Sequence, residues 1–156
     1  MKHIVKVAML SALTLTVFTA SAQSAKSEKQ AQRATETRQA VFKLLGANMS
    51  PLGGMARGKI AFNAETVAKH AARINQLSLM IDDHTRLDTS GFNVKTEALD
   101  KVWSQRADFE KAIAELSNAS KHLVTVAATG EEGDIKKAIG GVGKSCGGCH
   151  DNFKMD

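Results

Sequence analysis

The chain has 156 residues, about the length of one domain, with 43% hydrophobic residues and a formal net charge of +5. One proline, no tyrosine, six phenylalanines and one tryptophan leave few turn and strand formers, which argues against an all-β fold. The low proline, the apolar fraction and a cysteine count of two exclude collagen, a disordered chain and a disulfide scaffold.

Lys2 and Lys6 precede an uncharged apolar and small run over residues 7–20, and Ala20-Ser21-Ala22 fits a small-residue cleavage site. Residues 1–22 therefore read as a secretory signal peptide, with a mature domain over 23–156. The alternative is a membrane anchor, but a run of about 14 residues is short against the roughly 20 that spanning needs. Cleavage removes two lysines and leaves a mild positive charge. With no basic cluster and no aromatic stacking platform, nucleic acid is not an expected partner. Nor is a membrane, once the leader is gone.

Four amphipathic helices are predicted in the mature chain. The first covers about residues 27–49. Ser27 and Gln30 form a capping box, and Ala34, Arg38, Val41, Leu45 and Met49 follow helical spacing with Phe42 beside them. Ser50-Pro51-Leu52-Gly53-Gly54 is expected to end it. The second covers about residues 59–83, with Ile60, Ala64, Val67, Ala71, Ile74, Leu77 and Ile81 on its stripe. A polar loop over residues 84–95 follows.

The third is expected to start near Thr96 as N-cap. Its stripe is Leu99, Val102, Phe109, Ile113, Leu116, Leu123 and Ala127, with Trp103 on the flank as a packing residue. Thr129-Gly130-Glu131-Glu132-Gly133 breaks it. The fourth is expected to be capped by Asp134 and to place Ile135, Ile139, Val142, Cys146, Cys149 and Phe153 on one stripe. Gly140, Gly141, Gly143, Gly147 and Gly148 weaken this helix, which suggests that its backbone approaches something closely. Four such helices with short to moderate loops predict an all-α, up-down-up-down antiparallel four-helix bundle.

The chemistry is concentrated in Cys146-Gly147-Gly148-Cys149-His150, the C-x-x-C-H pattern of covalent haem attachment. Two thiols three residues apart on a helical turn can each bond one vinyl group, and the following histidine can ligate the iron. Both cysteines of the chain lie in the motif, and attachment of this kind occurs outside the cytoplasm, in agreement with a signal peptide. Three other readings compete. A redox C-x-x-C pair usually opens a helix after a strand. Structural zinc needs further ligands, and His70, His84 and His122 are scattered. A plain disulfide would close too short a loop to stabilise much.

Arg38-Gln39-Ala40-Val41-Phe42, Val102-Trp103-Ser104 with Phe109, and the block from Gly140 through His150-Asp151 together resemble the cytochrome c′ family, and the resemblance spans essentially the whole mature chain. It implies a bundle with one haem c covalently bound near the C-terminus. Cys146 and Cys149 would carry the thioethers and His150 would be the axial ligand of the iron. Arg38 would lie near the haem propionates with Gln39 beside it, Phe42 would cover the distal face, and Thr96 and Glu97 would approach the haem edge. Lys154 stands where the family places a basic residue, commonly Arg, four after the axial histidine. Lys is a flexible point donor and not a planar fork.

Independently of the resemblance, an Arg on an apolar stripe needs a partner: solvent, a helix carboxylate or a haem propionate. Phe42 can equally be a core residue. Met49, Met80, His70, His84 and His122 are the candidates for a sixth iron ligand, and none carries a local pattern marking it as one. The family leaves that position open under an apolar side chain. The expected function is therefore a periplasmic protein with five-coordinate iron that binds NO and CO and carries single electrons, with an unknown redox partner and as a homodimer. The alternatives are a six-coordinate electron-transfer cytochrome and a haem enzyme such as a peroxidase or NO reductase.

Overall fold

A computed structural model describes residues 23–155; the expected signal peptide lies outside them. Four long helices carry the fold: α1 (Glu28–Ala56), α2 (Ala64–Thr85), α4 (Arg106–Ala127) and α5 (Glu132–Phe153), with a single turn, α3 (Lys101–Ser104), before α4. Consecutive long helices run antiparallel, and α5 returns beside α1 to close the bundle. Two two-residue strands, β1 (Gln23–Ser24) and β2 (Leu87–Asp88), pair in parallel and tie the first described residues to the segment after α2.

Ser27 caps α1 by accepting from Gln30 N, and Gln30 Oε1 accepts in turn from Lys26 N. The helix does not stop at Pro51. It continues for another turn, because Leu52, Gly53, Gly54 and Met55 are all buried and packing outweighs local propensity. The two glycines serve the return of the chain: a methyl group on Gly54 would fall 2.5 Å from Ile60 Cδ1. Gly58, with φ of 69°, makes the turn that follows. Ile60 accordingly lies outside α2, which Asn63 caps by accepting from Thr66 N.

The buried stripe of α2 is Val67, Ala71, Ile74, Ser78, Ile81 and Thr85. Its two hydroxyls replace the apolar residues that periodicity suggests. Ser78 Oγ lies 2.9 Å from Ser117 Oγ, and Asn75 Nδ2 donates to Ser117 O and Ser120 Oγ, forming a small polar layer between α2 and α4.

Helix α4 starts ten residues after Thr96, so Thr96 is not a helix cap. The Thr96 hydroxyl accepts from Ala98 N instead, and Glu97–Leu99 is held extended against the end of α5 by Met155 N to Glu97 O and Leu99 N to Phe153 O. At the other end of the bundle α5 begins at Glu132, one turn before its expected start. Asp134 contributes charge to the first turn, not a cap.

Leu52, Ile74, Leu123, Ile135 and Ile139 are at most 1% exposed at the centre of the bundle. Leu123→Ala is expected to cost about 2–5 kcal/mol of stability, measured by urea unfolding monitored by circular dichroism.

Candidate cofactor site

Helical geometry gathers the motif on one side of α5. Residues three and four apart differ by about 60° and 40° around the axis, so Cys146, Cys149 and His150 share a sector of about 100°. Both cysteines are half-buried free thiols packed against the core, and His150 is exposed. Burial pushes the Cys146 thiol up from its usual range. Burial, then Cys146 and Glu115, pushes Cys149 up to about 11. A redox-active C-x-x-C pair needs the opposite shift, so the thiols are not built as an activated pair. Among the described residues no group of three His, Cys, Asp or Glu side chains is placed to hold a metal ion.

The partner surface is one flank of α1. Asn48 lies on the flank facing α2, since His70 Nδ1–H donates to Asn48 Oδ1 at 2.9 Å. The period of the helix turns Arg38, Phe42 and Met49 away from that flank and toward α5. Met49 marks the contact: its Cε lies 3.7 Å from where a side chain on Gly143 would begin. The two helices are antiparallel, so seven residues back along α1 and seven forward along α5 arrive at one level. By that count Phe42 falls near the level of His150, and Arg38 near that of Lys154. Met49 lies about 10 Å along the axis from the Phe42 level. The α1–α5 seam is the sparsest between neighbouring long helices, and Phe42 within it is 37% exposed.

Arg38 is 3% exposed. Its guanidinium donates to the hydroxyls of Thr35, Thr89 and Thr96 at 3.2–3.5 Å, long for a charged donor, and sits over the Trp103 ring, 5.2 Å from its centroid. Among the described residues no carboxylate pairs with it. Burial alone pushes its pKa down, the signature of a desolvated charge without an anion. Of the partners considered for Arg38, solvent and a helix carboxylate are both excluded.

Thr96 and Glu97 reach the same end of the seam. Gln39 Nε2 donates to Lys95 O at 2.9 Å, which fastens the loop to α1. Glu97 forms an ion pair with Lys154 at 3.2 Å, and Lys154 Nζ also donates to Met155 O. Ala98 and Lys154 form an antiparallel bridge. The structure thus brings Arg38, Gln39, Thr96, Glu97 and Lys154 to one level. Thr35 and Thr89 join them without having been singled out by sequence, and Trp103, expected only as a packing residue, joins them through its ring face. Thr35, three residues before Arg38, was readable from spacing; Thr89 and Trp103 arrive through tertiary structure.

The remaining sixth-ligand candidates are dispersed. His70 is engaged with Asn48, His84 ends α2 half-buried, and Met80 and His122 are exposed. Nor do the glycines of α5 pack closely on protein: around Gly140, Gly141, Gly147 and Gly148 the space is open. Gly141, Gly147 and Gly148 face a groove bounded on α4 by Glu115 and Asn118. A sparse seam, paired free thiols on one side of it and a buried cation lacking an anion fit a flat, covalently held macrocycle bearing carboxylates.

A family model described as Cytochrome C' matches residues 33–154. A cytochrome c′ of Rubrivivax gelatinosus is 34% identical over 127 residues, covering 78% of this chain and 93% of that protein. The solved cytochrome c prime of Shewanella frigidimarina superposes with a TM-score of 0.75 at 32% identity, covering 83% of this chain and all of that one. The nitric oxide complex of a variant cytochrome c prime from Alcaligenes xylosoxidans gives a TM-score of 0.73 at 21% identity, over 81% of this chain and 96% of that one.

The raised thiol values have a consequence for the haem-free protein. An unfolded thiol ionises at about 8.5, before its folded counterpart. The stability owed to burying neutral Cys149 is therefore complete below that pH and is lost as pH rises toward about 11. Urea unfolding of the haem-free chain across this range is expected to show that decline, and Cys149→Ala should flatten it.

Proposed function

The chain belongs to the cytochrome c′ family, and on that premise we propose that it is a periplasmic c-type haem protein with five-coordinate iron, which binds nitric oxide and carbon monoxide and carries single electrons. Cys146 and Cys149 would hold one haem c through thioethers, and His150 would ligate its iron. Bound there, the haem supplies a metal that exchanges one electron and takes up a diatomic gas. The other properties come from the chain. Arg38 offers the propionates a buried cation in search of an anion. Gln39, Thr96 and Glu97 keep the loop closed over that edge. Lys154, held to Glu97, secures the loop to α5 just beyond the axial ligand.

What supports this function most is Phe42, which helix counting from the Met49–Gly143 approach brings near the level of His150. A phenyl ring at the distal face excludes water and carries no hydrogen-bond donor. Dioxygen binding favours a distal donor, whereas NO and CO bind ferrous iron without one, so Phe42 biases the site toward those two gases. The nitric oxide complex of the Alcaligenes xylosoxidans protein supports that choice of ligand. A peroxidase needs a distal acid–base pair, which neither Phe42 nor Met49 supplies. The six-coordinate alternative requires an internal ligand, and Met49, the candidate on this seam, stands about 10 Å along from the level of His150.

Export is supported by the leader-like residues 1–22, with residues 23–156 as the mature domain, and by the extracytoplasmic chemistry of the motif. Among the described residues no helix is long and apolar enough to cross a membrane. Homodimerisation through the first two long helices is supported by exposed Leu44 on α1 and by Leu79 and Met80 on α2, which are 57% and 42% exposed.

The reduced, haem-loaded protein is expected to give a broad high-spin absorption spectrum that shifts on adding NO. A sharp low-spin spectrum unchanged by NO would establish an internal sixth ligand and a simple electron carrier. Phe42→Ala is expected to raise CO affinity about tenfold, equivalent to relieving about 1.4 kcal/mol of crowding, as measured by CO titration of the reduced protein.

A further inference from the structure

We propose that Trp103 is a positioning residue for the redox centre: it acts through Arg38, whose buried positive charge it holds in place, and thereby sets the reduction potential. This rests on the haem-side placement of Arg38 given above.

Among the described residues no carboxylate pairs with Arg38, so within the protein its orientation is set by neutral groups. Its three hydroxyl contacts are neutral and long, between 3.2 and 3.5 Å, so they satisfy the donors without clamping them. The face of the Trp103 ring, with its centroid 5.2 Å from Cζ, supplies the remaining contact. A ring face attracts a guanidinium through its quadrupole, and more strongly where water is excluded. Trp103 is itself 8% exposed, so this contact is largely desolvated.

The indole is in turn immobilised. Its Nε1–H donates to Thr85 O at 2.9 Å, a carbonyl in the last turn of α2 that no later turn of that helix satisfies. Arg106 donates to the same carbonyl at 3.3 Å and to Thr85 Oγ1 at 3.1 Å, while its side chain is anchored by ion pairs to Asp82 and Glu110. The ring is thus pinned to α2 at its nitrogen and presents its face to Arg38 on α1. A Trp serving only as filler needs neither contact.

The electrostatic consequence follows from sign. Reduction lowers the charge on the iron, so a fixed cation nearby favours the reduced state and raises the potential. A guanidinium released from the ring can turn toward solvent, where water screens it and the potential falls.

The test uses the haem-loaded protein, with potentials from spectroelectrochemistry and stability from thermal unfolding. Arg38→Gln is expected to lower the potential. Trp103→Leu should lower it in the same direction, and Trp103→Phe, which keeps a ring face but loses the bond to Thr85, by less. In an Arg38→Gln background Trp103→Leu should produce no further fall, because the charge it positions is gone. A Trp103→Leu protein that melts earlier but keeps the parental potential would overturn the proposal, as would shifts that add independently. If Trp103→Leu does not fold, Trp103→Phe carries the same comparison: its shift must vanish in the Arg38→Gln background. If Arg38→Gln leaves the potential unchanged, the haem-side placement of Arg38 fails and the role of Trp103 fails with it.

Discussion

A guanidinium buried among neutral groups organises one end of this molecule. Desolvating a charge is costly unless other groups replace the water, and Arg38 recruits those groups from three parts of the chain: Thr35 within α1, Thr89 and Thr96 in the loop after α2, and the indole of Trp103 in α3. The loop is polar, and little apolar burial holds it in place. Its ordered course depends on these contacts, on Gln39 bonding to Lys95 O and on the backbone pairing of residues 97–99 with the end of α5. The cation that, on the proposed reading, would meet an anionic cofactor therefore also closes the bundle at that end.

The same arrangement explains why the four long helices are not packed equally. Small side chains and a shared hydroxyl layer bring α2 and α4 together, and α5 lies against α4 along its apolar stripe. The α1–α5 seam is looser. There Met49 on one helix meets the Gly143 backbone on the other, while Phe42 and His150 are exposed, a set too sparse to complete a core by itself. In a bundle of this length such a seam is a defect unless something else fills it. A covalently held macrocycle would convert it into core, so cofactor binding and stability are coupled through one interface.

Much of this was legible from the residues alone. The bundle follows from periodic apolar positions, and the motif follows from two cysteines and a histidine at one spacing. What sequence misplaced are the boundaries, each for a physical reason. Pro51 and the following glycines are ordinarily stop signals, yet burial of Leu52 and Met55 carries α1 past them. Thr96 looks like a cap, but strand-like pairing with α5 holds its surroundings extended. The stripe of α1 runs through Ala31, Thr35, Arg38, Val41, Leu45, Asn48 and Leu52, and two of these polar residues are ones that no apolar pattern would select. Thr89 and Trp103 were beyond reach because their relation to Arg38 spans 51 and 65 positions of sequence and exists only once the chain has folded.

Register gives the site a finer property than composition can. Because α1 and α5 are antiparallel and touch at Met49 and Gly143, the identity of the residue opposite His150 is decided by counting. An insertion or deletion of one residue in either helix would rotate the flank by about 100° and remove Phe42 from the seam. A substitution at Phe42 leaves the central core intact, since that exposed side chain is not part of it. On the proposed reading, ligand preference would change at that one position while Arg38, the loop and the C-x-x-C-H motif stay fixed. That separation would let a rigid bundle hold the proposed haem while one exposed apolar side chain governs what reaches it.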